Sequence, residues 1–302
     1  MHNCLKCFKN YLKLFCKIHF NFTLKIKNCK KMPKKNIGKN CIIHTTAIIE
    51  DGAVIGDNVS IGAYSIIDGN VKIGDNCEIK SHVTISGNTE LGQSNKVFSF
   101  AAIGHIPQDL KYHGEESKII IGDNNAIREH VTIHPGTSGD SLLTKVGSNC
   151  LLMVGVHIAH DCALGDGCIL ANNATLGGHV SIGDFAVLGG ICAVHQNVRI
   201  GKHSMIGGMS GVEFDVIPYG VVMGNRARLE GLNIIGMKRR GFPRSEIHAL
   251  RHFYQDVFEN KSLCITDALK KVEKNYKHSE VVNEVIEFLR TESKRSLCMQ
   301  RG

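Results

Sequence analysis

An aliphatic residue returns at every sixth position from Ile37 through Ile43, Ile49, Ile55, Ile61, Ile67, Ile73, Ile79, Ile85, Leu91 and Val97 to Ile103. The same period runs again from Val146 through Leu152, Ile158, Leu164, Leu170, Leu176, Ile182, Leu188, Val194, Ile200 and Ile206 to Val212. Neither a helix of period 3.6 nor a strand of period 2 sustains such spacing. A hexapeptide β-helix does, with each hexad forming one short strand and its corner. The aliphatic side chain points inward, and segments such as Ile55-Gly56-Asp57-Asn58 supply residues that tolerate tight corners. Three hexads close a triangular coil, so residues about eighteen apart stack at roughly one strand spacing, ~4.8 Å.

The period breaks twice. The first break covers roughly His105–Lys118, after which Ile121, Ile127 and Ile133 resume the original phase; the second covers roughly Pro135–Lys145, and the register restarts at Val146 shifted by one. Loops that leave a regular solenoid cost little stability and often carry function. The first presents Asp109 and Lys111 within Gln108-Asp109-Leu110-Lys111-Tyr112. Beyond Val212 the period dissolves, and from Ser245 apolar residues recur at helical spacing, predicting about three helices entered at Pro243-Arg244-Ser245. The expected organisation is a basic extension (1–35), a β-helix with two inserted loops (36–225) and a helical domain (226–302).

Charge is distributed unevenly. Of 36 Lys and Arg, eleven Lys lie in residues 1–39 with no acidic residue, leaving 25 basic against 28 acidic side chains in the remainder. A slightly acidic body excludes nucleic acid as the natural partner. The extension reads either as a basic arm on an anionic membrane surface or as a segment outside the fold, with translation beginning at Met32. Lys13, Lys17 and Lys25 interrupt every run that could form a signal peptide, and no stretch predicts stable membrane insertion. Twelve Cys without paired spacing predict reduced thiols in a cytoplasmic compartment, with Cys77, Cys150, Cys168 and Cys192 as small residues lining the coil.

Histidines cluster in the second block: His157, His160, His179 and His195. Stacking sets His160 beside Gly178 and His195 beside Gly177, on three consecutive coils. An imidazole oriented by a carboxylate such as Asp161 is a general base, and the N–H of Gly178 can serve as an oxyanion donor. Singly, each histidine reads as a satisfied surface residue; their convergence favours a site. Three imidazoles could also hold zinc, but Ile158 between His157 and His160 works against aiming both at one ion, so no metal and no cofactor are expected. Without a Gly-x-Ser-x-Gly elbow, direct attack by a bound hydroxyl on an activated acyl donor fits better than an acyl-enzyme. Arg239-Arg240 reads as a bidentate phosphate clamp, or alternatively as a solvated cluster or docking patch for an acidic carrier.

The runs His157-Ile158-Ala159-His160-Asp161-Cys162, Ile169-Leu170-Ala171-Asn172-Asn173-Ala174-Thr175-Leu176, Ala193-Val194-His195-Gln196 and Lys238-Arg239-Arg240-Gly241-Phe242 resemble the UDP-N-acetylglucosamine O-acyltransferases that begin lipid A synthesis. Gln108–Tyr112 and Thr132-Ile133-His134-Pro135-Gly136-Thr137 match the same family, and the resemblance covers about residues 36–302. It implies a left-handed parallel β-helix assembled as a homotrimer with sites between subunits. It also implies transfer of an R-3-hydroxyacyl group from acyl carrier protein to the 3-hydroxyl of UDP-N-acetylglucosamine. By position, His160 would be the base, Asp161 its orienter and Gly178 the oxyanion donor. Asp109, Lys111, His157 and His179 would position sugar or donor, while His195, Gln196, Asn233, Arg239 and Arg240 would hold the nucleotide. Gly208, stacked over Gly190 and Asn172, would limit acyl length, its missing side chain implying a chain of about fourteen carbons by analogy with that family. An acidic carrier implies a basic docking patch including Lys238, Arg244 and Arg251. Arg226 and Ile235 depart from the family, which often has His and an acidic residue there, so uracil or ribose contacts are expected to differ.

Three other readings weigh less. The sister N-acyltransferase of that pathway carries an amino-terminal uridine-binding domain, for which residues 1–36 are too short. A zinc carbonic anhydrase on a similar helix is disfavoured by the histidine spacing. A non-enzymatic scaffold explains the repeat but neither the clustered histidines nor the paired arginines.

Overall fold

The computed structural model describes residues 36–139, 141–259 and 263–300. The expectations for the basic extension lie outside them. Successive hexads feed three parallel sheets in rotation, of nine, eleven and nine strands. The first face runs from Asn36–Ile37 to Arg199–Ile200 and the third from Ile48–Ile49 to Gly211–Val212. The second runs from Ile42–Ile43 to Met205–Ile206 and is extended by Gly220–Met223 and the antiparallel Arg228–Leu232.

Most strands are two residues long, one outward and one inward, which is why the sequence shows a period of six. Ile55 pairs with Ile73 and Leu164 with Ile182, eighteen residues apart. The inward aliphatics form one continuous core in which Ile67, Ile103, Ile133, Leu152, Ile158 and Leu176 are fully buried. Cys77, Cys150, Cys168 and Cys192 are buried too, as small wall residues. The Gly-Asp corners cap one another: Asp57 N–H donates to Asp75 Oδ1 at 2.7 Å and Asp166 N–H to Asp184 Oδ1 at 2.8 Å. Glycine precedes the aspartate because a Cβ on Gly56 would stand 2.3 Å from Asp75 Oδ1.

The register measures both insertions. Leu91 pairs with Ile121, thirty residues on rather than eighteen, so the first adds twelve; two whole hexads leave the phase intact. Ile121 pairs with Val146, twenty-five on, so the second adds seven and shifts the phase by one. The loops clasp each other where Ser138 Oγ donates to Glu115 Oε1 at 2.6 Å, and that bond, with backbone N–H donors, holds the Glu115 carboxyl down to about 2.

Beyond the solenoid, four α-helices stand among the described residues: α1 (Ile234–Arg239), α2 (Arg244–Tyr254), α3 (Ile265–Val272) and α4 (Glu280–Arg290). The three helices expected from Ser245 onward correspond to α2, α3 and α4. The short α1 was not anticipated, because six residues are too few for apolar periodicity to register. None of the described helices is long and apolar enough to cross a membrane.

Candidate active site

His160 lies on the corner between the third and first faces, where the chain turns out of the strand His157–Ile158. Its Nδ1 is 2.9 Å from Asp161 Oδ2. A carboxylate only accepts, so Nδ1 carries the proton and Nε2 keeps a lone pair. Asp161, its side chain fully buried, has its other capacity filled by Thr137: the backbone N–H reaches both oxygens at 3.0 and 3.1 Å and Oγ1 donates to Oδ2 at 2.8 Å. Asp161 N–H in turn donates to Thr144 Oγ1 at 2.9 Å. The second insertion therefore fixes the carboxylate that fixes the imidazole.

Three expected neighbours surround the free edge of that ring. Asp109 Oδ2, carried in by the first loop, is 3.7 Å from His160 Nε2. The His179 ring meets His160 edge to face at 4.9 Å between centroids, with Nδ1 3.8 Å from Asp161 Oδ2. Gly178 lies directly over the imidazole, since a Cβ there would be 2.4 Å from His160 Cε1 and 2.5 Å from Nε2. Lys111 is exposed, and its backbone N–H donates to Asp109 Oδ1 at 3.0 Å. His157 is half-buried with Nδ1 2.8 Å from Thr132 Oγ1; burial, and then the neighbouring His134 at 5.3 Å between rings, lower its pKa. His134 anchors the first loop through Nδ1, 3.0 Å from the His105 carbonyl.

Ligand atoms of His160, Asp161 and His179 lie within 4.8 Å of one another. Yet Asp161 already accepts from Thr137 and from His160 Nδ1–H. The donor set is arranged to hold a proton in place, which is the chemistry of a base dyad.

The remaining expected residues are elsewhere. His195 and Gln196 are exposed on the same corner further along the solenoid, where Arg295 of the carboxyl-terminal tail contacts both. Asn233, Arg239 and Arg240 belong to the second face, beside a groove of about 690 Å³ lined by Ile169, Val187, Met205 and Val221. The Asn233 side chain is engaged within the chain: Oδ1 caps α1 by accepting from Gly236 N–H at 3.0 Å, and Nδ2 donates to the His203 carbonyl at 2.9 Å. It thereby aims the helix whose last turn carries Arg239, with Arg240 next. Arg240 is exposed, its guanidinium 4.4 Å from the centre of the Phe185 ring. Gly208 occupies a third location, the corner between second and third faces; a Cβ there would meet only Gly190, at 3.4 Å from its carbonyl oxygen. Lys238, Arg244 and Arg251 are all exposed. One chain thus brings His160, Asp161, Asp109, His179 and Gly178 together, and holds the arginine pair on another face.

The family described as UDP N-acetylglucosamine O-acyltransferase, domain 2, matches residues 215–298, and the bacterial transferase hexapeptide family matches residues 34–69, 52–87 and 143–178. An acyl-[acyl-carrier-protein]–UDP-N-acetylglucosamine O-acyltransferase of Methylobacterium radiotolerans is 55% identical over 206 residues, covering 68% of this chain and 75% of its own. That of Rickettsia typhi is 48% identical over 259 residues, 86% of this chain and 98% of its own. The chain belongs to the UDP-N-acetylglucosamine O-acyltransferase family. A solved UDP-N-acetylglucosamine acyltransferase from Campylobacter jejuni superposes with a TM-score of 0.81 at 40% identity, covering 86% of this chain and all of that one.

Within this acyltransferase, Thr137 and Arg295 are among the contacts to which the sequence alone assigns no role. Thr137 hides because stacking by eighteen fails across an insertion. Once seven residues are added, Asp161 stacks on position 136, and a Cβ on Gly136 would indeed lie 2.7 Å from Asp161 Oδ1. Arg295 lies in a tail with no repeat to place it.

Proposed function

We propose that the enzyme transfers an R-3-hydroxyacyl chain from acyl carrier protein to the 3-hydroxyl of UDP-N-acetylglucosamine, the first step of lipid A synthesis. The observation that carries this reading is the His160 ring, with Nδ1–H spent on a buried carboxylate and Nε2 left as a base beneath Gly178 and beside Asp109. In the proposed step Nε2 takes the proton of the sugar hydroxyl as its oxygen attacks the thioester carbonyl. The tetrahedral oxyanion accepts from Gly178 N–H. Collapse breaks the carbon–sulfur bond, and the departing thiolate takes the proton back from the imidazolium. Asp161 stabilises the transient cation, and Asp109, Lys111, His157 and His179 position the sugar and the thioester.

The nucleotide is held by His195 and Gln196 together with Arg239 and Arg240, and the acyl chain ends against Gly208. The arginines come from a neighbouring copy in a homotrimer. What supports this arrangement is the separation of the two residue sets on one chain and their shared border. Setting the third face of one copy against the second face of the next brings His160 opposite the arginine pair. The same rotation turns the corner between those faces toward the axis, covering Tyr64, Phe100, Ile191 and Met209, which are exposed on the single chain.

The test is product mass from hydroxyacyl carrier protein and UDP-N-acetylglucosamine, with wild type and His160→Ala. Loss of a general base lowers kcat by about a hundredfold or more. Turnover unchanged in the variant, or the absence of an O-acylated sugar nucleotide with wild type, refutes the reading.

A further inference from the structure

The segment after α4 folds back along the end of the solenoid as a laced strap. Asp215 N–H donates to the Ser296 carbonyl at 2.9 Å, Cys298 N–H to the Asp215 carbonyl at 2.8 Å and Leu229 N–H to the Met299 carbonyl at 3.1 Å. Cys298 is buried, its thiol 3.2 Å from the Ala227 carbonyl. Asp215 is itself buried and clamped by Arg199, which donates from Nε at 2.7 Å and from its backbone N–H at 2.8 Å. Arg295 lies within this strap, next to Ser296. Its Nε donates to the Gln196 carbonyl at 3.0 Å and its Nη2 contacts His195 Nδ1.

A guanidinium has donors only. Nδ1 of His195 facing Arg295 must therefore be the unprotonated nitrogen, and the ring proton resides on Nε2. The local alternative is also present: His195 Nδ1 is 3.3 Å from the Gln196 carbonyl, the bond an Nδ1–H would make. Arg295 supplants it by supplying its own donor to that carbonyl and a second donor to the ring. We propose that Arg295 is a positioning residue of the nucleotide subsite: it locks His195 in the neutral tautomer that presents Nε2–H to a nucleoside diphosphate. Without Arg295 the ring turns its proton inward to Gln196 and offers a lone pair to an anion, which repels it.

This rests on the reading above that His195 touches the nucleotide, and the experiment separates the two. Steady-state kinetics are measured for wild type, Arg295→Ala, Arg295→Lys and His195→Ala, each checked for unaltered thermal unfolding. Loss of a donor to a charged ligand raises the KM for UDP-N-acetylglucosamine about tenfold or more in Arg295→Ala, with kcat within about twofold. The KM for the acyl carrier substrate stays level, and Arg295→Lys recovers part of the loss. Nitrogen-15 spectra of labelled histidine report an Nε2–H tautomer for His195 in wild type and Nδ1–H in Arg295→Ala. An unmoved tautomer, or an unchanged nucleotide KM in Arg295→Ala while His195→Ala raises it, overturns the role of Arg295. An unchanged nucleotide KM in His195→Ala overturns the underlying subsite as well.

Discussion

His160 keeps one ring nitrogen free because Asp161 occupies the other, and Asp161 is held by a residue from a different loop. Thr137 supplies both a backbone donor and a hydroxyl to that carboxylate. Removing the hydroxyl in Thr137→Val keeps the shape of the side chain and deletes one bond to a buried charge. A hydrogen bond to a charged group is worth about 1.5–3 kcal/mol, so kcat should fall roughly tenfold to a hundredfold with both KM values little changed; kcat equal to wild type would show that Asp161 needs no such support. The glycines make the complementary point. Gly178 has no room for a methyl group because the imidazole fills it, whereas a Cβ on Gly208 reaches only ordinary van der Waals contact. Gly208→Met should therefore fold normally and shift the preferred acyl donor to shorter chains, read by competing a series of hydroxyacyl carrier proteins. An unaltered length profile would remove Gly208 from the acyl path. Much of this scale was legible beforehand: the period set His160 on Gly178 and Gly208 on Gly190. Thr137 was not, since a contact across an insertion of unknown length has no register to follow.

At the level of elements, hexads specify themselves. An inward aliphatic, a small residue and a corner that tolerates left-handed backbone are all local signals, so the coils were readable without knowledge of their neighbours. The corners also explain aromatic ladders that hydropathy does not reveal. Phe185, His203 and Tyr219 stack at 5.0 and 5.3 Å, with Phe242 edge-on to His203 at 5.1 Å. Burial in this stack, and then the charge of Arg240, push His203 down from 6.5 to about 4; Lys202 acts in the same sense, and Glu284 and Asp184 oppose it. The unfolded chain takes up the proton near 6.5, while the folded chain resists it until about 4. The stability contributed by neutral His203 is therefore complete above pH 6.5 and is lost as pH falls toward 4. His203→Phe keeps a ring in the ladder and removes the proton site. Its urea midpoint should drop less than that of wild type between pH 7.5 and 4.5, and an equal drop in both would contradict the buried neutral ring. The short α1 and the carboxyl-terminal strap were illegible for a different reason: each takes its shape from contacts with the solenoid end rather than from a periodic pattern of its own.

The described solenoid is a prism with candidate site residues on separate edges. The His160–Asp161 pair lies between the third and first faces, Gly208 between the second and third, and the arginine pair beside the second. The six-residue period measures height along the prism and not which neighbour an edge will face; sites between subunits were implied only by the family resemblance. Residues so divided can act together when copies pack head to tail, each site taking its base from one copy and its arginines from the next. Two variants, His160→Ala and Arg239→Ala with Arg240→Ala in one chain, should each be nearly inactive alone. Unfolded together in equal amounts and refolded, they should give, in the proposed homotrimer, mixed trimers in which about one interface in four pairs an intact histidine with intact arginines. The mixture should then regain about a quarter of wild-type acyl transfer. If subunits demonstrably exchange and activity stays at the level of the separate variants, the base and the arginines do not form a shared site, and the account of this acyltransferase is wrong at its centre.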